Sequence, residues 1–226
     1  MGRLSTVFCA FGPARSGTMT AMETFTSWHT WADAEPGLRQ RLPADVVATL
    51  AEAVEFAAAR HGGQQRKTGV PYLEHLLEAL QVLVQGAGVT SPDVLVAAVL
   101  HDVVEDTPCT LADVGAEFGP RVAELVGWVT IPVPGPGESR SAARQAYLRR
   151  LRDAPRDAVL VKLADRASNV QTLRNLPLAQ QRSYYEQTVA HIVPLAADKP
   201  WFADWYAVWQ AELADLAGPR TAAKPG

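Results

Sequence analysis

The feature that most constrains this chain is the segment 94–100, Val-Leu-Val-Ala-Ala-Val-Leu, on which no face of a helix would carry a polar group. It follows Ser91-Pro92-Asp93, a helix start with Ser at the N-cap and Pro in the first turn, and it leads into His101-Asp102 and Glu105-Asp106. A segment apolar all round has no solvent side and must be surrounded by other elements. Its seven residues fall far short of the roughly 20 that cross a bilayer, so what surrounds it is protein. The predicted helix, 94–105, is the centre of a core, and its last turn carries an acidic cluster to the edge of that core.

The rest of the sequence supplies a helical shell. Residues 44–60 place Val47, Leu50, Val54 and Ala57 at helical spacing and end before Gly62-Gly63. After a polar, glycine-containing loop at 62–69, residues 73–84 carry Leu73, Leu76, Leu77 and Leu80 as one apolar stripe, with His75 on the same helix. Thr110 is the predicted N-cap of 111–118, Gly119-Pro120 breaks that helix, and 122–129 resumes the period. Pro132, Pro134 and Pro136 bar a helix over 131–137, which reads as an exposed loop and a candidate lid before a basic helix at 141–152. Helices at 158–173, 181–195 and 201–216 complete the pattern, with no strand required and no internal repeat. The expected fold class is all-α: one helical domain at 28–216, with disordered tails at 1–27, which is irregular, and at 217–226, which lacks an apolar face.

Composition narrows the partners. A net charge of −3 and a pI near 6.0 argue against a broad nucleic-acid surface, which needs clustered Lys and Arg, so any anion must meet a local pocket. No segment reads as a membrane span, and Cys9 and Cys109 show neither metal spacing nor a disulfide framework, which points to a reducing, cytoplasmic location. The apolar period of Trp201, Trp205 and Trp209 fits a homo-oligomer face as well as a cap on the core.

On an unbroken helix, His101, Asp102, Glu105 and Asp106 fall at about 0, 100, 40 and 140°, and so share one side. Burying carboxylates there without compensation is costly, and a divalent cation is the simplest compensator. A second stripe holds Lys162, Asp165, Arg166 and Asn169 at i, i+3, i+4 and i+7, and His75 is the third contributor. Two imidazoles with two carboxylates suit Mn²⁺, Fe²⁺ or Zn²⁺ better than Ca²⁺ or Mg²⁺. An adjacent His-Asp pair alone is commonplace, and Lys162-x-x-Asp165 alone reads as an ion pair. Three separate helices each offering the right ligand types single out this set. His61 reads as a structural hydrogen-bonding residue, and His29 and His191 have no supporting constellation.

The runs RHGGQQRKTGVPYLEH, AAVLHDVVEDTPCTLADVGAEFGPRVAELVGWVT and VKLADRASNV resemble, in order and spacing, the hydrolase domain of the RelA/SpoT-type alarmone enzymes and their small stand-alone relatives. The resemblance covers roughly residues 54–176. It implies an all-helical HD-superfamily phosphohydrolase that uses Mn²⁺ and removes the 3′-pyrophosphate of (p)ppGpp to leave GDP or GTP, with no room in these residues for the synthetase domain of the long members. It assigns the metal to His75, His101, Asp102 and Asp165, and water activation to Glu105 and Asp106. It sets Arg66, Lys67 and Thr68 against the base and nucleotide, with Asn169 and Thr172 on the ribose and phosphate side; Lys162, from the polar stripe, is a further candidate substrate-binding residue. The chain departs from the family pattern at His75-Leu76, where the family has His-Pro, and at Thr130-Ile131, where it has Thr-Lys; the second removes a positive charge near the substrate.

The leading expectation is therefore a guanosine-3′,5′-bis(diphosphate) 3′-pyrophosphohydrolase. An HD-type nucleotide or NADPH phosphatase releasing orthophosphate is the alternative, and a catalytically idle nucleotide- or partner-binding module is the third.

Overall fold

The computed structural model describes residues 19–66 and 69–217. Eleven α-helices lie among them: α1 (Trp31–Arg39), α2 (Ala44–His61), α3 (Tyr72–Gln81), α4 (Pro92–Leu100), α5 (Val103–Asp106), α6 (Leu111–Phe118), α7 (Pro120–Val129), α8 (Arg140–Arg150), α9 (Arg156–Val170), α10 (Leu178–His191) and α11 (Pro200–Glu212). No strand occurs among the described residues, only an isolated antiparallel bridge between Gln65 and Pro71.

The all-apolar segment is the centre of the molecule. Every residue from Val94 to Leu100 is buried on α4, which packs against α2, α3, α7 and α9. Around it the local rules hold. Thr110 caps α6 with a reciprocal Thr110–Asp113 capping box, and Gly119, at φ 89°, turns the chain into α7 in a backbone region that favours glycine. An unpredicted helix, α1, starts with the same device at Thr30 and Asp33.

Three elements depart from the sequence reading. The helix expected over 94–105 is broken: α4 stops at Leu100, the backbone turns at His101–Asp102, and one short turn, α5, follows. Ser91 holds the N-cap position of α4 but makes no side-chain capping bond. The helix expected over 73–84 starts at Tyr72 and widens into a π-turn at Val82–Gly86. There a Cβ on Gly86 would lie 2.4 Å from Trp201 Cζ2, so the missing side chain admits the indole.

The expected N-terminal tail also needs correction in its described part. Phe25 is buried, its N–H donates to Gln171 Oε1 at 2.7 Å, and its carbonyl accepts from Gln171 Nε2. Trp205 Nε1 donates to the Glu23 carbonyl at 2.8 Å. This stretch has no regular secondary structure and is held by side chains from distant parts of the chain, so no local periodicity announces it. Residues 1–18 and 218–226 lie outside the described residues. The aromatic face of α11 caps the core: Phe202, Trp205, Tyr206 and Trp209 are fully buried, and Trp209 Nε1 donates to the Val170 carbonyl. That face is used within the chain and is not left for a second copy. No helix among the described residues is long and apolar enough to cross a membrane.

Candidate metal centre and active site

The break after α4 builds the site. Adjacent residues on a continuous helix diverge by about 100°, whereas the turn at His101–Asp102 lets both side chains aim at one point, with His101 Nε2 3.1 Å from Asp102 Oδ2. From α3, His75 Nε2 comes to 3.1 Å from His101 Nε2 and 3.5 Å from Asp102 Oδ2. From α9, Asp165 Oδ1 lies 3.4 Å from His75 Nε2 and 3.6 Å from His101 Nε2. The ligand atoms of His75, His101 and Asp165 all lie within 4.8 Å of one another, and these three residues are buried.

The hydrogen bonds behind these atoms show what they offer. His101 Nδ1 is 2.7 Å from the Ala98 carbonyl, an acceptor only, so that nitrogen carries a proton and, in the neutral ring, Nε2 presents a lone pair. A lone pair is thus turned toward another imidazole nitrogen and two carboxylate oxygens in a buried space. A divalent cation bound by nitrogen and oxygen fits this donor set; without a cation, a proton must take its place. The electrostatics agree: burial works against a charged His101, but Asp102 and Asp165 outweigh it and hold its pKa well above the ordinary value.

Asp165 is engaged on both oxygens. Lys162 Nζ donates to Oδ2 at 2.7 Å, and Asn169 Nδ2 donates to Oδ1 at 2.6 Å. Burial raises the Asp165 carboxyl, but Lys162, His101 and His75 together outweigh it and hold the pKa well below the usual carboxylate range. Lys162 is likewise held above its ordinary value against the cost of its own burial. Tyr72, one turn before His75, donates its hydroxyl to Asp102 Oδ2 at 2.5 Å; burial and that carboxylate push the phenol far above its ordinary range, so it remains a donor. Behind His75, Nδ1 lies 2.8 Å from Ser168 Oγ, whose hydroxyl donates to Glu78.

Glu105 and Asp106 sit on α5 at the exposed edge of this centre. Ile131, first residue of the proline-rich loop, donates its N–H to Glu105 Oε2 at 3.0 Å. Partial desolvation raises the Glu105 carboxyl above its ordinary value, against the opposing pull of the Ile131 N–H, with Asp102 adding to the rise.

The other sequence-predicted positions are placed as follows. Asn169 is tied to the centre through Asp165, and Thr172 follows one turn later, just beyond α9. Arg66 closes the same network, its Nη1 2.9 Å from Glu78 Oε2 and its Nη2 3.3 Å from Asn169 Oδ1. Lys67 and Thr68 lie outside the described residues. Arg166, on the polar stripe of α9, is buried, with its Nε lacking an acceptor and its guanidinium carbon 5.6 Å from the Tyr184 ring. His61 hydrogen-bonds Gln64 and stacks on Tyr72, as a structural histidine does. Sequence reasoning missed Tyr72, Glu78 and Ser168; each stands three residues from an assigned ligand on the same helix, which is the signal that could have found them.

Comparison with known proteins gives consistent matches. The HD domain family matches residues 53–200, well over half of the chain. A curated mouse relative, guanosine-3′,5′-bis(diphosphate) 3′-pyrophosphohydrolase MESH1, is 42% identical over 128 residues, covering 56% of this chain and 70% of that protein. A probable GTP pyrophosphokinase of Mycobacterium leprae is 39% identical over 148 residues, covering 64% of this chain but only 18% of that longer protein. The solved structure of a metazoan ortholog of SpoT, described as hydrolysing ppGpp with a role in starvation responses, superposes with a TM-score of 0.64 at 26% identity, over 73% of this chain and 96% of that one.

Proposed function

Because this chain belongs to the HD-domain family, we propose that it is a metal-dependent guanosine-3′,5′-bis(diphosphate) 3′-pyrophosphohydrolase, with His75, His101, Asp102 and Asp165 holding a Mn²⁺ ion. The observation that carries this reading is the convergence of His101 Nε2, His75 Nε2, Asp102 Oδ2 and Asp165 Oδ1, with two further carboxylates at the edge. The mouse relative, most of whose length is covered, bears that activity in its name, and the metazoan SpoT ortholog is described as hydrolysing ppGpp.

An ion held by these four residues would polarise a phosphoryl oxygen and make a neighbouring water more acidic. The remaining chemistry belongs to the chain. Glu105, whose carboxyl partial desolvation raises above its ordinary value and so makes a better base, accepts the proton of the attacking water, and the Ile131 N–H keeps its carboxylate aimed. Asp106 lies beside it to orient that water. Lys162 neutralises Asp165 on the side away from the histidines, so the ligand cluster does not repel an incoming phosphate as strongly as its carboxylates alone would. Arg66, Lys67 and Thr68 receive the base and nucleotide, with Asn169 and Thr172 on the ribose and phosphate side. The nucleotide substrate and the unpaired Cys109 fit a cytoplasmic location.

One observation favours a second reading. The Ile131–Glu105 bond brings the proline-rich loop to the edge of the site, where it replaces a positive charge of the family pattern. A nucleotide or NADPH phosphatase would use the same centre and release orthophosphate. Mn²⁺-loaded protein supplied separately with ppGpp, NADPH and a nucleoside monophosphate decides between them. Pyrophosphate from ppGpp supports the first reading; orthophosphate from either other substrate, with ppGpp untouched, replaces it by the second.

A further inference from the structure

Glu78 is a carboxylate only 8% exposed on the leucine-rich helix α3, and the proposed reaction makes no use of it. Burial of such a group is costly unless it is hydrogen-bonded, and its partners are informative. Ser168, fully buried on α9, has one hydroxyl proton and donates it to Glu78 Oε2. What remains to that hydroxyl is acceptance, so its 2.8 Å contact with His75 Nδ1 is an N–H donated by the imidazole. The same Glu78 oxygen accepts Arg66 Nη1 at 2.9 Å. The direction of every bond is then fixed: Arg66 donates to Glu78, His75 donates to Ser168, and Ser168 donates to Glu78. Nε2 of His75 is left with its lone pair facing His101 Nε2, Asp102 Oδ2 and Asp165 Oδ1.

We propose that Glu78, acting through Ser168, is the positioning residue that fixes the tautomer and ring orientation of His75 for metal binding, and that the same carboxylate ties Arg66 on the nucleotide side into one hydrogen-bonded unit with the metal centre. The inference rests on the reading of His75 as a metal ligand. Its competitor is simpler: Glu78 anchors the Arg66 loop and has no bearing on the metal. The two differ at Ser168, because removing that hydroxyl leaves the Arg66–Glu78 ion pair intact but cuts the path to His75.

The test uses the full chain, stripped of metal and titrated with Mn²⁺ and, separately, with Co²⁺, whose visible absorption reports ligand geometry. Ser168→Ala and Glu78→Gln are expected to weaken Mn²⁺ binding by about 10–100-fold, the usual effect of losing an outer-shell partner, and to alter the Co²⁺ spectrum. Ser168→Thr, which keeps the hydroxyl, is expected to restore both. Should Glu78→Gln fail to fold, the Ser168→Ala and Ser168→Thr pair decides. Wild-type affinity and spectrum in Ser168→Ala would overturn the proposal and leave Glu78 as a loop anchor. A wild-type protein that binds neither ion would remove the metal-centre reading itself, a separate outcome.

Discussion

Asp165 is the residue whose loss has the most calculable consequence. Its partner Lys162 is 9% exposed, and the pair is closed at 2.7 Å. Asp165→Asn keeps the shape and the bond from Asn169 but leaves the Lys162 ammonium buried without a counter-charge. Breaking a buried pair from one side costs about 3–5 kcal/mol. In a chain of this size that corresponds to a fall of roughly 6–20 °C in Tm, at about 2–4 °C per kcal/mol. The assay is thermal and urea unfolding in the presence of a chelator, so that loss of metal binding does not enter the comparison. Lys162 is raised on folding, so its share of stability is present at neutral pH and lost as pH climbs through its folded value; Asp165 is lowered, so its share is lost on acidification. The double variant Lys162→Met/Asp165→Asn removes the orphaned charge and should recover most of the loss. If Asp165→Asn melts with the wild type, or if the double variant is no better than the single one, the ion pair does not act as described.

Two further perturbations probe other parts of the structure. Gly86→Ala puts a Cβ 2.4 Å from Trp201 and 3.0 Å from Phe25; overpacking of this kind costs about 1–3 kcal/mol, and an unchanged urea midpoint would show that the indole gives way freely. Glu105→Gln should reduce turnover by about 10²–10⁴-fold with Mn²⁺ affinity nearly unchanged. Because the folded pKa of Glu105 is raised, its ionised form costs stability at neutral pH and that cost is relieved on acidification, so the Gln variant should melt no lower than wild type at pH 7.5. The wild-type rate should fall with acid above the ordinary carboxylate range, and a rate level down to pH 4 would contradict the assignment of Glu105 as base.

What the sequence made legible, and what it hid, have separate physical causes. The all-apolar α4 segment, the helical period of α2 and the Thr110 cap are local signals, and each reappears at its place. Conjunction of ligand types on three helices likewise needed no coordinates, and His75, His101, Asp102 and Asp165 do converge. The break at His101–Asp102 was hidden because nothing in its residue types forbids a helix; tertiary contacts at the site override a weak local preference. The irregular stretch through Phe25 was hidden because Gln171 and Trp205, far along the chain, hold it. Glu78 and Ser168 were passed over because a polar residue on a helix is ordinarily a solvated one, and only burial distinguishes them.

This centre, loaded with metal, is expected to cleave a 3′-pyrophosphate. The direct measurement is the phosphate product released from ppGpp by chelator-treated and Mn²⁺-reconstituted protein, with Asp102→Ala and Glu105→Ala alongside. The expected result is pyrophosphate and GDP from the reconstituted wild type alone, with little or none from the chelated protein or either variant. Equal release with and without metal, or undiminished release by Asp102→Ala, would contradict the assignment of the centre.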